Sequence, residues 1–253
     1  MSTLFINSQY QALLSSNGLS DFEALWNAKI DWFEEPNERR GGWSGVGRLV
    51  LKTGDGGDIH VFVKKQQNHG RHTIRHPVQG EPTFRREFRS LQFLYEHQFA
   101  APNVVYYGED KQTKRAILIT LALSAYQPLD EFWEAQVTAW DASRKTEFLQ
   151  VLAANIRRLH DLGMVHRALY PKHIFVHTVQ PSQYAVIDLE KARLSGFGWY
   201  RTYFDLAALF RHATWWNKDD RLVFFKAYCV KSSQQLSCWQ QWLFKRILKR
   251  AVR

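Results

Sequence analysis

The sequence predicts an α+β chain of two lobes, an antiparallel sheet carrying one helix over residues 1–121 and a helical lobe over residues 122–253. Three observations predict it. Short runs rich in branched and aromatic residues, at 49–51, 59–63, 104–107 and 116–121, are separated by turn residues and read as strands. One amphipathic stretch beginning at Thr83 stands among them. Beyond the linker at 124–128 the helical period takes over, most clearly over 145–162, where Phe148, Leu152, Ile156 and Leu159 share a face.

The elements follow in order. Ser20-Asp21-Phe22-Glu23 ahead of an apolar run is a capping-box pattern and predicts a short helix through Ala24, Leu25 and Trp26. Gly41-Gly42-Trp43-Ser44-Gly45-Val46-Gly47 predicts a glycine-rich loop leading into the strand at 49–51. Gly54-Asp55-Gly56-Gly57 turns the chain into the strand at 59–63, which ends in Lys64-Lys65. Residues 66–82 are polar, basic and broken by Gly and Pro, so they read as an exposed loop. Phe84, Phe88, Leu91 and Tyr95 recur at helical spacing and predict a helix that ends before Pro102. A charged turn, EDKQTKR, joins the next two strands. Gly163 closes the long helix, and strands at 174–176 and 184–187 flank a turn at Pro181-Ser182. The remainder is helical and aromatic.

Composition narrows the function. The chain has 253 residues, 45% of them apolar, which allows a sizeable core and excludes a disordered, collagenous or disulfide-scaffold protein. No stretch approaches the ~18 apolar residues of a membrane span, and the N-terminus lacks a basic region followed by an apolar run, so a cytoplasmic location is expected. Cys229 and Cys238 match no metal or redox spacing and read as buried thiols. The surplus of 34 Lys+Arg over 24 Asp+Glu, a formal +10, favours a polyanionic partner. Nucleic acid is one such partner, but no helix-turn-helix, zinc finger or RNA module supports it.

Chemistry enters through the order of weak motifs. A glycine-rich segment (Gly42, Gly45, Gly47), a strand lysine (Lys64), a helix glutamate (Glu87), a His166-Arg167 pair after a long helix and an aspartate following a strand (Asp188) succeed one another as they do in protein-kinase-like folds. A strand-end lysine meets nucleotide phosphates as a point charge, and a glutamate partner fixes its flexible stem. Lys64 is preferred over Lys65 because it shares a strand face with Phe62. Asp188 leaves an apolar strand where a carboxylate can hold Mg²⁺. Asp205 lies in a helical run and suits a brace of the catalytic loop.

Leu169-Tyr170-Pro171-Lys172-His173-Ile174-Phe175 and Val186-Ile187-Asp188-Leu189-Glu190-Lys191-Ala192-Arg193, with Arg39-Arg40-Gly41-Gly42-Trp43-Ser44-Gly45 and Phe84-Arg85-Arg86-Glu87-Phe88, resemble the lipopolysaccharide kinase family of WaaP and InaA type. The resemblance covers roughly residues 36–210 and implies a two-lobed kinase-like fold. It further implies ATP- and Mg²⁺-dependent phosphorylation of a sugar, typically heptose, in the lipopolysaccharide inner core. On that pattern Gly42, Gly45, Gly47, Lys64 and Glu87 bind the nucleotide, and Asp188 with His173 holds the metal. Asp188 and His166 form the catalytic set, His166 more as a brace of the loop than as a base.

The chain departs from the pattern at Ala168, which stands where kinases carry the catalytic aspartate. A pseudokinase or ATP-binding regulatory protein is the alternative this raises. Only seventeen positions separate Asp188 from Asp205, too few for a peptide-docking activation segment, which favours a small-molecule or glycan acceptor. The last residues, 236–253, combine Trp239, Trp242, Leu243, Ile247 and Leu248 near one helical face with Lys245, Arg246, Lys249, Arg250 and Arg253. Two readings stand: an interfacial helix touching anionic lipids at the cytoplasmic face of the inner membrane, or a packed terminal helix. His69, His72 and His76 with Arg71 and Arg75 form a second basic cluster, read as a surface or phosphate-contacting loop more than as a metal site.

Overall fold

The structure is a computed structural model that describes residues 4–33, 35–39, 41–73, 76–229 and 235–252. Internal contacts divide the chain into two units, Met1–Tyr95 with Pro102–Ser124, and Glu96–Ala101 with Ala125–Arg253.

The first unit contains β1 (Leu4–Ile6), α1 (Ser8–Ser16), α2 (Phe22–Asn27), β2 (Asp31–Trp32), β3 (Asn37–Arg39), β4 (Gly42–Lys52), β5 (Asp58–Gln67), β6 (Gly70–Thr73), β7 (His76–Pro82), α3 (Thr83–Glu96), β8 (Val104–Asp110) and β9 (Arg115–Leu121). Its main sheet is antiparallel throughout, in the order β1-β8-β9-β5-β4-β2 with β3 also against β4. Leu14, Leu25, Leu51, Val61, Val63, Val105, Ile117 and Ile119 close its core.

Several expectations are corrected here. β1 and α1 were not foreseen, because α1 buries only Leu14 and its mostly polar sequence carries little period. α2 is capped by Asp21, whose carboxylate accepts the Ala24 N–H at 2.8 Å, one residue past the expected start, while Glu23 bonds Arg115. The glycine-rich segment is strand β4, and the reversal before it passes through Gly41 at φ +75°. The stretch 66–82 continues β5 and then forms the β6–β7 hairpin. Within α3 the buried face runs Phe84, Glu87, Leu91, Leu94, so Tyr95 points to solvent.

The second unit contains β10 (Tyr126–Pro128), α4 (Leu129–Ala135), α5 (Ala142–Asp161), β11 (Met164–Val165), β12 (Ile174–His177), β13 (Tyr184–Val186), β14 (Arg193–Leu194), α6 (Gly198–His212), α7 (Lys218–Cys229) and α8 (Cys238–Ala251). The α5 face forms as expected, and its core is rich in rings: Phe132, Trp133, Phe148, Phe210, Trp216, Phe224, Phe225 and Phe244. Burial pushes the Cys229 thiol up to about 12, whereas Cys238 is exposed, against the expectation of two buried thiols.

α8 packs along one face. Leu243, Phe244, Ile247 and Ala251 are buried, with the Phe244 ring stacked on Phe225. Trp239 and Trp242 do not share that face; they stack on each other in solvent. Arg253 lies outside the described residues. Among those described, no helix is long and apolar enough to cross a membrane.

Candidate active site

In the first unit β5 alternates, so consecutive lysines go to opposite faces. The Lys64 ammonium lies 2.7 Å and 2.8 Å from the two carboxylate oxygens of Glu87. Lys65 points the other way and donates to the carbonyls of Trp26 and Ala28 at 2.8 Å and 2.9 Å, and burial pulls its pKa down to about 8.

Glu87 is aimed by the way α3 begins. The side-chain oxygen of Gln66, at the end of β5, accepts the Thr83 hydroxyl at 2.8 Å and the Phe84 N–H at 3.2 Å, so the lysine strand itself caps the glutamate helix. A second buried ion pair stands beside it. Arg85 donates to both oxygens of Glu109, which also accepts the Tyr107 hydroxyl, and this carboxylate holds the guanidinium pKa above its ordinary value. Glu109 had been read as part of a charged turn; it is a buried strand residue. A polar residue within the run VVYYGED was the available signal.

Gly42, Gly45 and Gly47 lie in strand β4, not in the loop expected of them. A Cβ on Gly42 would stand 2.2 Å from the Asn68 carbonyl oxygen, on Gly45 2.6 Å from the Trp32 ring, and on Gly47 2.6 Å from the Asp31 carbonyl oxygen. Close packing of β4 explains why glycine stands at all three positions.

In the second unit one carboxylate organises the loop after β11. Asp205 accepts the backbone N–H of His166 and of Arg167, each at 2.7 Å, and lies 3.0 Å from His160 Nε2. His160 Nδ1 in turn meets the Tyr228 hydroxyl at 2.7 Å, and that hydroxyl meets Thr202 at 2.8 Å. This network beyond Asp205 was missed; its signal was a histidine next to Leu159 on the buried side of α5. Arg167 takes φ +67°, a left-handed conformation that the two bonds hold in place.

His166 is fully buried. Its Nε2–H donates to the Ile187 carbonyl at 2.9 Å and its Nδ1 accepts the Ala168 N–H at 3.3 Å, so neither nitrogen is left to move a proton. Burial also holds its pKa below the ordinary value and keeps the ring neutral. This geometry suits the expected brace, joining the loop after β11 to the segment before Asp188.

His173 and Asp188 flank a strand pair. Ile174 is in register with Val186, and the Ile187 N–H bonds the His173 carbonyl at 3.0 Å, which brings both side chains to one end of β12–β13. His173 Nδ1–H donates to the Ala168 carbonyl at 2.8 Å, leaving the Nε2 lone pair 3.4 Å from Asp188 Oδ2. Asp188 is left-handed, at φ +59° and ψ +57°, a turn that aspartate tolerates better than most residues.

This donor set fits a divalent cation. Adjacent ligands of an octahedral Mg²⁺ stand ~3 Å apart, close to the observed spacing. Among the described residues no group of three or more His, Cys, Asp and Glu gathers, so oxygens from phosphate and water would complete the shell, as is usual for Mg²⁺ at phosphates. Arg75 and the side chains of Arg71, His72 and His76 lie outside the described residues. Ala168 is 1% exposed and offers no polar group at the position of the usual catalytic carboxylate.

Comparison with known proteins decides the family. The model of the "Lipopolysaccharide kinase (Kdo/WaaP) family" matches residues 23–228. The chain belongs to the lipopolysaccharide kinase family. It is 30% identical to protein InaA of Escherichia coli (strain K12) over 178 residues, which cover 68% of this chain and 79% of that one. A solved structure of WaaP in complex with acyl carrier protein superposes with a TM-score of 0.71 at 23% identity, covering 99% and 98% of the two chains. Aminoglycoside-3'-phosphotransferase of type VIII gives a TM-score of 0.54 at 16% identity, covering 97% and 100%. The fold is accordingly α+β and kinase-like.

Proposed function

We propose that this lipopolysaccharide kinase family member transfers the γ-phosphate of ATP to a sugar hydroxyl, a heptose, of the lipopolysaccharide inner core. The observation that carries the reading is the ion pair of Lys64 with Glu87, a strand lysine held by both oxygens of a helix carboxylate. A bound Mg²⁺ would neutralise developing phosphate charge. Lys64 meets the phosphates as a fixed cation, Glu87 holds it there, and the glycine-rich segment with Gly42, Gly45 and Gly47 covers the nucleotide. Asp188 and His173 hold the metal, while His166 and Asp205 keep the loop between them in shape.

Ala168 sets the expected rate. A positioned base contributes about 10²–10⁴-fold, and phosphoryl transfer through a loose transition state keeps the remainder in positioning and charge. Slow transfer is thus the expectation. Ala168 also favours a second reading, a nucleotide-binding protein without transfer. Trp239 and Trp242, exposed beside Lys245, Arg246 and Lys249, support peripheral contact with anionic lipid at the cytoplasmic face of the inner membrane.

Incubation with γ-labelled ATP, Mg²⁺ and dephosphorylated lipopolysaccharide core, beside a nucleotide titration, tests the proposal. Label in the heptose region supports it. Mg²⁺-dependent nucleotide binding without transfer supports the second reading, and absence of nucleotide binding overturns both.

A further inference from the structure

Beyond Asp188 the chain exposes three large apolar side chains within six residues. Leu194, Phe197 and Trp199 leave 59%, 69% and 53% of their surfaces in solvent. The segment between them is open as well: a Cβ on Gly196 would meet nothing within 4 Å. Yet the base of the segment is fixed. β14 pairs with β11, Arg193 opposite Val165 and Leu194 opposite Met164, and the Ser195 N–H bonds the Gly163 carbonyl at 2.8 Å. Arg201 donates to the Ser195 carbonyl. The apolar side chains are therefore anchored to the strand that leads directly into His166.

The segment is basic: residues 191–204 carry Lys191, Arg193 and Arg201 and no Asp or Glu. Glu190, just before them, pairs with Lys191 at 3.8 Å and leaves Arg193 and Arg201 in excess. The Arg193 guanidinium stacks on Tyr200 at 5.1 Å, and Arg250 of α8 stacks on Phe204 at 4.5 Å. Exposed leucine, phenylalanine and tryptophan in a segment with a basic excess match an anionic bilayer surface, where the rings enter the headgroup boundary and the cations meet lipid phosphates.

We infer that residues 194–199 form a membrane-contact tip that docks the second unit on an anionic lipid surface beside its catalytic loop. The tip lies apart in sequence from the tryptophans of α8 and deepens the proposed function by seating the loop where a lipid-linked acceptor lies. Only that purpose rests on the kinase reading, since lipid binding is measured without nucleotide.

The test is flotation of the full chain with phosphatidylglycerol-containing vesicles and with pure phosphatidylcholine vesicles, for the parent and for the triple variant Leu194→Ser/Phe197→Ser/Trp199→Ser. The parent is expected to float with the anionic vesicles. The triple variant should lose on the order of 10-fold or more of that partition while keeping its unfolding midpoint, because the replaced side chains are exposed. A Phe197→Ser single variant, with an intermediate loss, guards against misfolding of the triple. Equal flotation of parent and variants overturns the inference. So does a parent that floats with neither vesicle but is retained by an acidic protein, or binding abolished only by Trp239→Ser/Trp242→Ser.

Discussion

The carboxylate of Glu87 holds the Lys64 ammonium with both its oxygens, at 2.7 Å and 2.8 Å, across a sequence separation of 23 residues. The lysine is only partly exposed and the glutamate nearly buried, so removing one partner strands the other. Glu87→Gln should weaken ATP binding about tenfold and Lys64→Met at least as much, with the double variant well short of the sum. Isothermal titration of the four proteins checks this; additive losses would mean that the two residues act independently.

Asp205 carries a different kind of load. Its two 2.7 Å bonds to the His166 and Arg167 amides fix a left-handed residue in the catalytic loop. Asp205→Ala leaves two amides and the His160 ring without their acceptor and should cost about 3–5 kcal/mol of stability. Asp205→Asn keeps one acceptor oxygen and should cost less. Urea denaturation of the three proteins orders them.

Lys65 predicts a pH dependence. Its folded pKa, about 8, lies below its ordinary value of 10.5, so between these limits the unfolded chain holds a proton that the folded chain has released. Stability contributed by this group is full above 10.5 and is lost as the pH falls through about 8, an effect of at most about 3 kcal/mol. The urea midpoint of the parent should rise across that window relative to Lys65→Met. Parallel curves for the two proteins would contradict the assignment.

The glycines of β4 separate packing from freedom. Gly42→Ala drives a Cβ to 2.2 Å from a backbone oxygen, a clash worth about 1–3 kcal/mol. Gly54→Ala, with nothing within 4 Å, should stay within about 0.5 kcal/mol of the parent. Thermal unfolding of both variants distinguishes them.

These residues also show how far the sequence could be read. The strand lysine, helix glutamate, Asp188 and Asp205 were visible because each follows or sits in an element with a clear period, and their order is specific. β1 and the β6–β7 hairpin were not, since β1 is three apolar residues, too short to show alternation, and the hairpin strands are mostly polar. Lys65 stood only as the alternative to Lys64, and Glu109 only as part of a charged turn, because their partners, the Trp26 and Ala28 carbonyls and Arg85, come from distant positions. Gly42, Gly45 and Gly47 read as a loop for a related reason: a glycine required by a close neighbour and one required by a turn look alike until the neighbour is seen. The two halves of α8 were merged because Trp239 and Leu243 are four residues apart, while the helix turns Leu243 and Phe244 inward and leaves the tryptophan out.

The most direct measurement is transfer of labelled γ-phosphate from MgATP to dephosphorylated lipopolysaccharide core by the parent and by Asp188→Asn. Asparagine tolerates the left-handed backbone at this position, so the variant removes charge without forcing the turn. The account predicts slow transfer by the parent and a loss of at least about 100-fold in the variant, with the fold intact. Equal transfer by both proteins would contradict it.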